Sequence, residues 1–414
     1  MQVTRRSFTV LGAAAFLAGC GGGAGPVGRL TPAADPDLQP QPNPAYDAWV
    51  ASFRSRAQSR GIRADVLDTA FRSAGYLPGV VTRDRNQTEF KRSLEDYLAI
   101  VASEEKVATG RSQFARTRGL LGQIEGRYGV PAHVVAAVWG MESNYGARRG
   151  DIPVISATST LAFDGRRGDF FESQLMAALR ILQRGDVSAQ GLVGSWAGAM
   201  GHTQFIPTTY QAHAVDFAGD GRRDIWSDDP TDGLASAAAY LSDSGWRRGM
   251  PWGLEVRLPS GFNAGLAGRG RRRPVSEWST LGVRSAGGGA LPDHGPAALL
   301  LPQGASGPAF LAFRNFDVIL RYNNSENYGI GVGYLSDRIA GAGPLRSDFP
   351  PDRYGLTIDD RRRLQQRLTA NGFDTGGTDG VIGPKSQEAI RAYQSSIGLP
   401  ATGEPSRALL DRLG

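Results

Sequence analysis

The chain has 414 residues and a mass of 44.1 kDa, too long for one ordinary core of about 100–200 residues, so at least two folded units are expected. Hydrophobic residues make up 41% and charged residues 21%, with 7 Trp and 12 Tyr, which excludes a disordered or fibrous chain; 56 Gly and 24 Pro without a three-residue period mark loops, not collagen. The net charge of +6 suits an acidic polymer such as nucleic acid, anionic lipid or a carboxylate-bearing wall, and charge alone does not choose among them.

The first element is an export signal. Arg5 and Arg6 precede an apolar stretch at 8–18, well short of the roughly 20 residues needed to span a bilayer. Thr4-Arg5-Arg6-Ser7-Phe8 resembles a twin-arginine signal, and Leu17-Ala18-Gly19-Cys20 resembles the lipobox of bacterial lipoproteins, which implies lipidation of Cys20, the only cysteine. Residues 1–20 are therefore expected to direct a periplasmic, lipid-anchored protein, with Gly21 favouring the outer membrane. An ordinary cleaved signal is the plainer alternative. In residues 21–44, 11 of 24 positions are Gly or Pro and no apolar period occurs, so this segment is expected to be a flexible linker.

Residues 45–146 carry apolar positions at helical spacing: Tyr46, Trp49 and Phe53; Val66, Leu67, Ala70 and Phe71; Leu94, Tyr97, Leu98 and Val101. At the end of this block, VPAHVVAAVWGMESNYG (130–146) predicts a helix opened by Pro131 and closed by Gly146. Val134, Val138 and Glu142 are four apart and share a face. A carboxyl group set against apolar surface resists ionisation and can serve as a general acid near neutral pH. The alternative is a helix-terminal glutamate turned to solvent or paired with Arg148. Further helices are expected at 170–184 and 233–244. Between 252 and 316 the texture changes: Leu254-Glu255-Val256-Arg257-Leu258 alternates and glycines interrupt, predicting a small strand-containing insertion before helical texture returns at 315–341. The fold class is mainly α (α+β).

Glu142-Ser143-Asn144-Tyr145-Gly146, the run from Ser195-Trp196-Ala197-Gly198-Ala199-Met200 to Gly201-His202-Thr203-Gln204-Phe205-Ile206-Pro207, Asp216-Phe217-Ala218-Gly219-Asp220-Gly221, and Tyr322-Asn323-Asn324-Ser325-Glu326-Asn327-Tyr328 occur in that order. Together they resemble the lytic murein transglycosylases of the MltB type over about 300 residues. The resemblance implies a lysozyme-like catalytic domain at 45–345 that cleaves the MurNAc-GlcNAc β-1,4 bond of peptidoglycan. It makes Glu142 the single catalytic acid and then base, and implies that the muramyl 6-hydroxyl attacks its own anomeric carbon to give a 1,6-anhydro product without water. It places Ser195 near that carboxyl, Met200 and Gln204 along the groove, and Tyr322, Asn323 and Tyr328 facing the reacting sugar. Arg166 and Arg167 resemble a basic pair for stem-peptide carboxylates, and Tyr97 resembles a further groove tyrosine. Without the resemblance, Met200 reads equally as core, Gln204 as a surface amide and residues 322–328 as packing. Asp151, Asp164, Asp169 and Glu172 lie close to Glu142 in sequence, so a two-carboxylate hydrolytic muramidase stays beside the lyase reading, as does a non-catalytic wall-binding lipoprotein.

Asp216, Asp220 and Gly221 occupy the first, fifth and sixth places of an EF-hand-like loop, with Asp232 as the late acidic ligand. Ala218 at the third place and Arg222 and Arg223 after the glycine depart from a calcium loop, leaving calcium and a turn pinned by Asp224 and the arginines as the two readings. No cofactor is otherwise expected, and His133, His202 and His213 show no metal-ligand spacing. Gly343-Pro344 and Pro350-Pro351 then separate a tail at 354–414, whose Leu364-Gln365-Gln366-Arg367-Leu368, Asp379-Gly380-Val381-Ile382-Gly383-Pro384, Tyr393-Gln394 and Gly398-Leu399-Pro400 resemble the type 1 peptidoglycan-binding domain, a three-helix module. The expected partners are peptidoglycan strands and, through the lipid, a membrane. Nucleic acid is disfavoured, because an exported chain leaves the cytosol and no groove-reading motif is present.

Overall fold

The computed structural model describes residues 35–86 and 92–414; Arg5, Arg6 and Cys20 lie outside the described residues. The chain folds as a helical body, an antiparallel sheet and a small helical tail. The expected linker at 21–44 is corrected at its end. From Asp35 the chain is packed: Arg83 pairs with Asp35 at 2.9 Å, the Gln41 N–H donates to the Tyr76 carbonyl at 2.8 Å, and Asn43 caps the first helix through the Tyr46 N–H. Proline-rich composition hid these contacts because the backbone bonds, not an apolar period, hold the segment.

The helical body starts with α1 (Pro44–Ser59), α2 (Ala64–Phe71), α3 (Pro78–Arg85), α4 (Leu94–Val101), α5 (Glu104–Arg116), α6 (Arg118–Tyr128) and α7 (Ala132–Ser143). A two-residue strand β1 (Ile152–Pro153) leads into α8 (Val154–Asp164) and α9 (Gly168–Arg184), followed by β2 (Val193–Gly194), α10 (Pro207–His213) and α11 (Thr231–Asp243). The sequence gives little sign of α8, because it is buried on every side, including Ser156, Thr158, Ser159 and Thr160, and so has no amphipathic period. Its hydroxyls are satisfied within the helix and by neighbours: Thr158 donates to the Val154 carbonyl, and Tyr46 shares a 2.7 Å bond with Ser159. Strand β1 pairs with β2, and Gly150, with φ of +84°, stands so close to Gly194 that a Cβ would lie 2.2 Å from its backbone carbon. Only glycine fits that crossing.

The insertion contains β3 (Gly253–Arg257), β4 (Arg272–Arg273), α12 (Val275–Thr280), β5 (Arg284–Ser285), β6 (Ala297–Leu300) and β7 (Ala309–Ala312), forming an antiparallel sheet in the order β4-β6-β7-β3-β5. Strands β6 and β7 are buried on both faces. Ala298, Leu300, Phe310 and Ala312 join the main helical core, while Ala297, Leu299, Ala309 and Leu311 turn the other way onto Trp278 and Phe313. The period of two thus serves two cores at once, which fixes register: Leu254 stands opposite Leu311 and Leu299 opposite Leu311 on its other side. The chain returns to the helical body through α13 (Arg314–Ile319) and α14 (Glu326–Ile339).

The tail comprises α15 (Ile358–Ala370), α16 (Pro384–Ser396) and α17 (Arg407–Arg412) around Leu364, Leu368, Ile390, Tyr393, Leu409 and Leu410. Thr357 and Asp360 form a reciprocal cap at the start of α15. Inside the module the Gln365 amide is fully used, accepting from the Gly380 N–H at 2.7 Å and donating to Val381 and Ser386. Among the described residues no helix is long and apolar enough to cross a membrane.

Candidate active site

Helix α7 is buried along almost its whole length and delivers Glu142 at its C-terminal end. Three consecutive residues in the left-handed region, Asn144, Tyr145 and Gly146, then turn the chain sharply. Two of them are not glycine, a conformation that persists only when its surroundings impose it. Here the Tyr145 hydroxyl donates to the Lys106 carbonyl, and its ring rests on Gly110 and Gly140, where a Cβ would meet it at 2.2 Å and 2.6 Å. Ser143 donates to the His202 carbonyl at 2.6 Å and accepts from the Gly146 N–H. The end of α7 that carries Glu142 is thus clamped from both sides.

The Glu142 carboxylate accepts a 2.5 Å hydrogen bond from Tyr328, 186 residues later on α14. Burial pushes its pKa up to about 7, against the opposing pull of the Tyr328 bond and the positive charge of Lys106. The expectation of an acid kept partly protonated near neutral pH therefore has a structural cause. Tyr97 and Tyr322 lie within the field of the same carboxylate, and both phenols are pushed up, first by burial and then by that charge. Tyr322 is held edge-on to Tyr240, 4.9 Å between ring centres, and against Phe205 at 6.0 Å. Asn323 is buried and accepts from the Ser325 N–H, stiffening the approach to α14.

The remaining predicted residues fall in different places. Ser195 closes a tight turn, its hydroxyl accepting from the Ala199 N–H at 3.1 Å, which leaves its proton for another partner. Gln204 adopts φ of +52° and donates to the carbonyls of Arg149 and Gly201. The expectation that Met200 lines the groove is corrected: its side chain is fully buried in the core with Phe205 and Tyr210, and its backbone pairs with Phe205. Its flanking glycines carry the turn, so the chain needs Met200 inside. Arg166 and Arg167 converge on Asp84, which is 1% exposed; the Arg166 Nε donates at 2.6 Å and Arg167 completes the pair. Burial alone would raise the Asp84 carboxyl, but the two guanidiniums outweigh it and hold it below the usual range.

Of the acids near Glu142 in sequence, Glu172 is drawn to Arg56 at 2.9 Å and Asp164 to Arg85 at 2.5 Å, while Asp151 and Asp169 are exposed. Among the described residues no second carboxylate bears on Glu142. Sequence reasoning missed Lys106, a cation that does. Burial and Arg148 push its pKa down to about 8 while Glu142 pulls the other way. Nothing in its neighbours marks it, since its position is set by the packing of α5 on α7. Also missed is the buried His202, kept neutral by burial: its Nδ1 accepts from Trp139 at 3.0 Å and its Nε2 bonds to the Ser227 carbonyl at 2.8 Å. His133 bonds to Ser336, and His213 to Asp243. A separate cleft of about 460 Å³, lined by Arg116, Trp139, Tyr145, Arg149 and Asp228, shares the 144–147 turn but not Glu142.

The residues considered for calcium bind the loop's own backbone amides. Asp216 accepts from the N–H groups of Gly219, Asp220 and Gly221, and Asp232 from those of Phe217, Ala218 and Asp224. Asp220 accepts from Arg222. Among the described residues, no group of three or more Asp, Glu, His or Cys is arranged to hold a metal.

Residues 45–337 match the family described as the transglycosylase SLT domain, and residues 357–413 match a putative peptidoglycan-binding domain. Membrane-bound lytic murein transglycosylase B of Escherichia coli K12 is 33% identical over 220 residues, 51% of this chain; the chain spans 58% of that relative's length. Among solved structures, SltB3 from Pseudomonas aeruginosa in complex with NAG-anhNAM-pentapeptide is 48% identical with a TM-score of 0.73, covering 90% of this chain and all of the other. The Escherichia coli transglycosylase Slt35 in complex with calcium is 27% identical with a TM-score of 0.61, covering 72% of this chain and 93% of the other.

Proposed function

We propose, because this chain belongs to the transglycosylase SLT domain family and carries a peptidoglycan-binding domain, that it is a lytic transglycosylase cleaving the β-1,4 bond between N-acetylmuramic acid and N-acetylglucosamine in peptidoglycan. The observation that carries this reading is a buried acid: Glu142, held near neutrality by burial and bonded to Tyr328, without a second carboxylate bearing on it among the described residues. Hydrolysis by the usual two-carboxyl route needs a second group to activate water or attack the sugar. With one carboxyl, the substrate supplies the nucleophile.

Protonated Glu142 donates to the bridging oxygen as the bond to the muramyl anomeric carbon breaks, leaving a free 4-hydroxyl on N-acetylglucosamine. Glu142, now anionic and supported by Tyr328 and Lys106, takes the proton of the muramyl 6-hydroxyl. That oxygen bonds to the anomeric carbon and closes the 1,6-anhydro ring, with the muramyl N-acetyl group supporting the charged intermediate. The proton lost in the first half returns in the second, so Glu142 ends as it began. SltB3 has been solved with a NAG-NAM-pentapeptide and with a NAG-anhNAM-pentapeptide, and the second bears the anhydro end that such a reaction leaves.

Mass spectrometry of soluble fragments released from purified peptidoglycan tests this reading. Anhydromuropeptides are expected. Fragments heavier by one water would make the chain a hydrolytic muramidase, and an undigested wall would leave it a binding protein.

The signal-like residues 1–20 support a periplasmic enzyme tethered to the outer membrane by lipid on Cys20. The reaction needs no cofactor, and the loop from Asp216 to Asp232 keeps its shape through its own amides. Excess calcium and excess chelator are therefore expected to give the same melting midpoint. A clear rise with calcium would show that the loop opens to take the ion.

A further inference from the structure

We infer that Arg361, on the C-terminal module, is a positioning residue for the catalytic groove; the inference rests on the groove's being the transglycosylase site. The Arg361 side chain is only 4% exposed, yet it is charged, and its fork is fully used. Its Nε donates to the Gly380 carbonyl of its own module at 2.8 Å, one terminal nitrogen to Asp352 of the connection at 2.9 Å, and the other to Glu95 at 2.7 Å and Asp96 at 2.9 Å. Glu95 and Asp96 stand in the first turn of α4, so one side chain ties three parts of the chain together. Burying such a group is costly unless every bond is made, and so the joint has one good arrangement, not a range of them.

The residue after Asp96 is Tyr97. Its ring lies against the backbone of α14, where a Cβ on Gly331 would come within 2.8 Å of it. Gly331 is one turn beyond Tyr328 on the same helix, and Tyr328 donates to Glu142. A continuous packed path therefore runs from Arg361 through the start of α4 and the Tyr97 ring to α14 and the catalytic carboxylate. The start of α4 is also held by Gln303, which accepts from the Glu95 N–H, and by Asn327 of α14, which donates to the Arg92 carbonyl. The connection is pinned as well, with Arg346 and Ser347 donating backbone bonds to Glu255. A module that only carried the enzyme to the wall would need none of this. Docked in this way, it also sets the seat of Tyr97.

Arg361→Met in the full chain tests the inference. It leaves Glu95, Asp96 and Asp352 facing one another without the Arg361 guanidinium, while the cores of both domains stay intact. On soluble glycan fragments, kcat is expected to fall about five- to tenfold while KM changes by less than about twofold, the scale of a typical coupling between sites. Wall binding in a pelleting assay is expected to be unchanged, and amide hydrogen exchange at 94–101 to quicken. Arg361→Lys, which keeps charge but loses the fork, is expected to restore part of kcat. If Arg361→Met does not fold, the Glu95→Gln/Asp96→Asn double variant, which keeps Arg361 on Asp352 and Gly380, is expected to show the same split. Parental kcat with quickened exchange would overturn the inference, as would unchanged exchange. A parent chain with no activity would instead bring down the functional reading, and hydrogen exchange would still decide whether Arg361 holds α4.

Discussion

Glu142→Gln is expected to reduce the release of soluble fragments from peptidoglycan by about 10²–10⁴-fold, the usual contribution of a positioned acid and base. Glutamine has nearly the shape of glutamate, and its carbonyl oxygen can still accept from Tyr328, so the groove should keep its form and the variant should pellet with the wall as the parent does. What it lacks is a transferable proton. Among the described residues no other carboxylate bears on the site, and Glu172 and Asp164 are committed to Arg56 and Arg85. In the parent, rate should fall as pH rises through about 7, where Glu142 loses the proton it must donate. Residual activity within about tenfold of the parent would mean that another group donates the proton, and the single-acid mechanism would have to be abandoned.

The same substitution is expected to stabilise the fold above neutral pH. The Glu142 carboxyl has a pKa of about 7 in the folded chain against 4.5 for an unperturbed glutamate, because burial disfavours the anion more than Tyr328 and Lys106 favour it. The folded state holds this proton more tightly than the unfolded one. Its contribution to stability is therefore fully present below pH 4.5 and is lost as pH rises through about 7. Glutamine carries no charge to bury and suffers no such loss. Urea unfolding at mildly alkaline pH should show the variant more stable by up to about 3 kcal/mol, and at pH near 4 about equal to the parent. An equal difference at both pH values would show that Glu142 is not held near neutrality. A difference confined to alkaline pH would set activity against stability at one residue, as happens where a catalytic group is kept in an unfavourable setting.

Both predictions start from features written locally in the chain. Glu142 at the end of an apolar helix, the left-handed glycine after it, the alternating insertion and the stripes of the tail are short-range patterns. A period of 3.6 or 2 and a turn residue carry their meaning within a few positions. The resemblance worked on the same scale, through four short blocks whose order matched. Even there, a block fixed which residues meet but not which of them face out. Met200 stands between two glycines in a motif, and only the packing of Phe205 and Tyr210 over it shows that it belongs to the core.

By itself, the sequence determined the fold class and the family, and it offered Glu142 as an acid in an apolar setting with the chemistry such an acid can perform. The tertiary structure decided everything that depends on two charges or two surfaces far apart in the chain. Tyr328 reaches Glu142 across 186 residues, Arg166 and Arg167 share the buried Asp84, Lys106 approaches Glu142 through the docking of α5 on α7, and Arg361 closes on Glu95 across 266. None of these pairings has a period or a spacing, since each side chain is compatible with many partners until the backbone is placed. Close packing leaves room for only one partner, and the cost of burying an unpaired charge then excludes the rest.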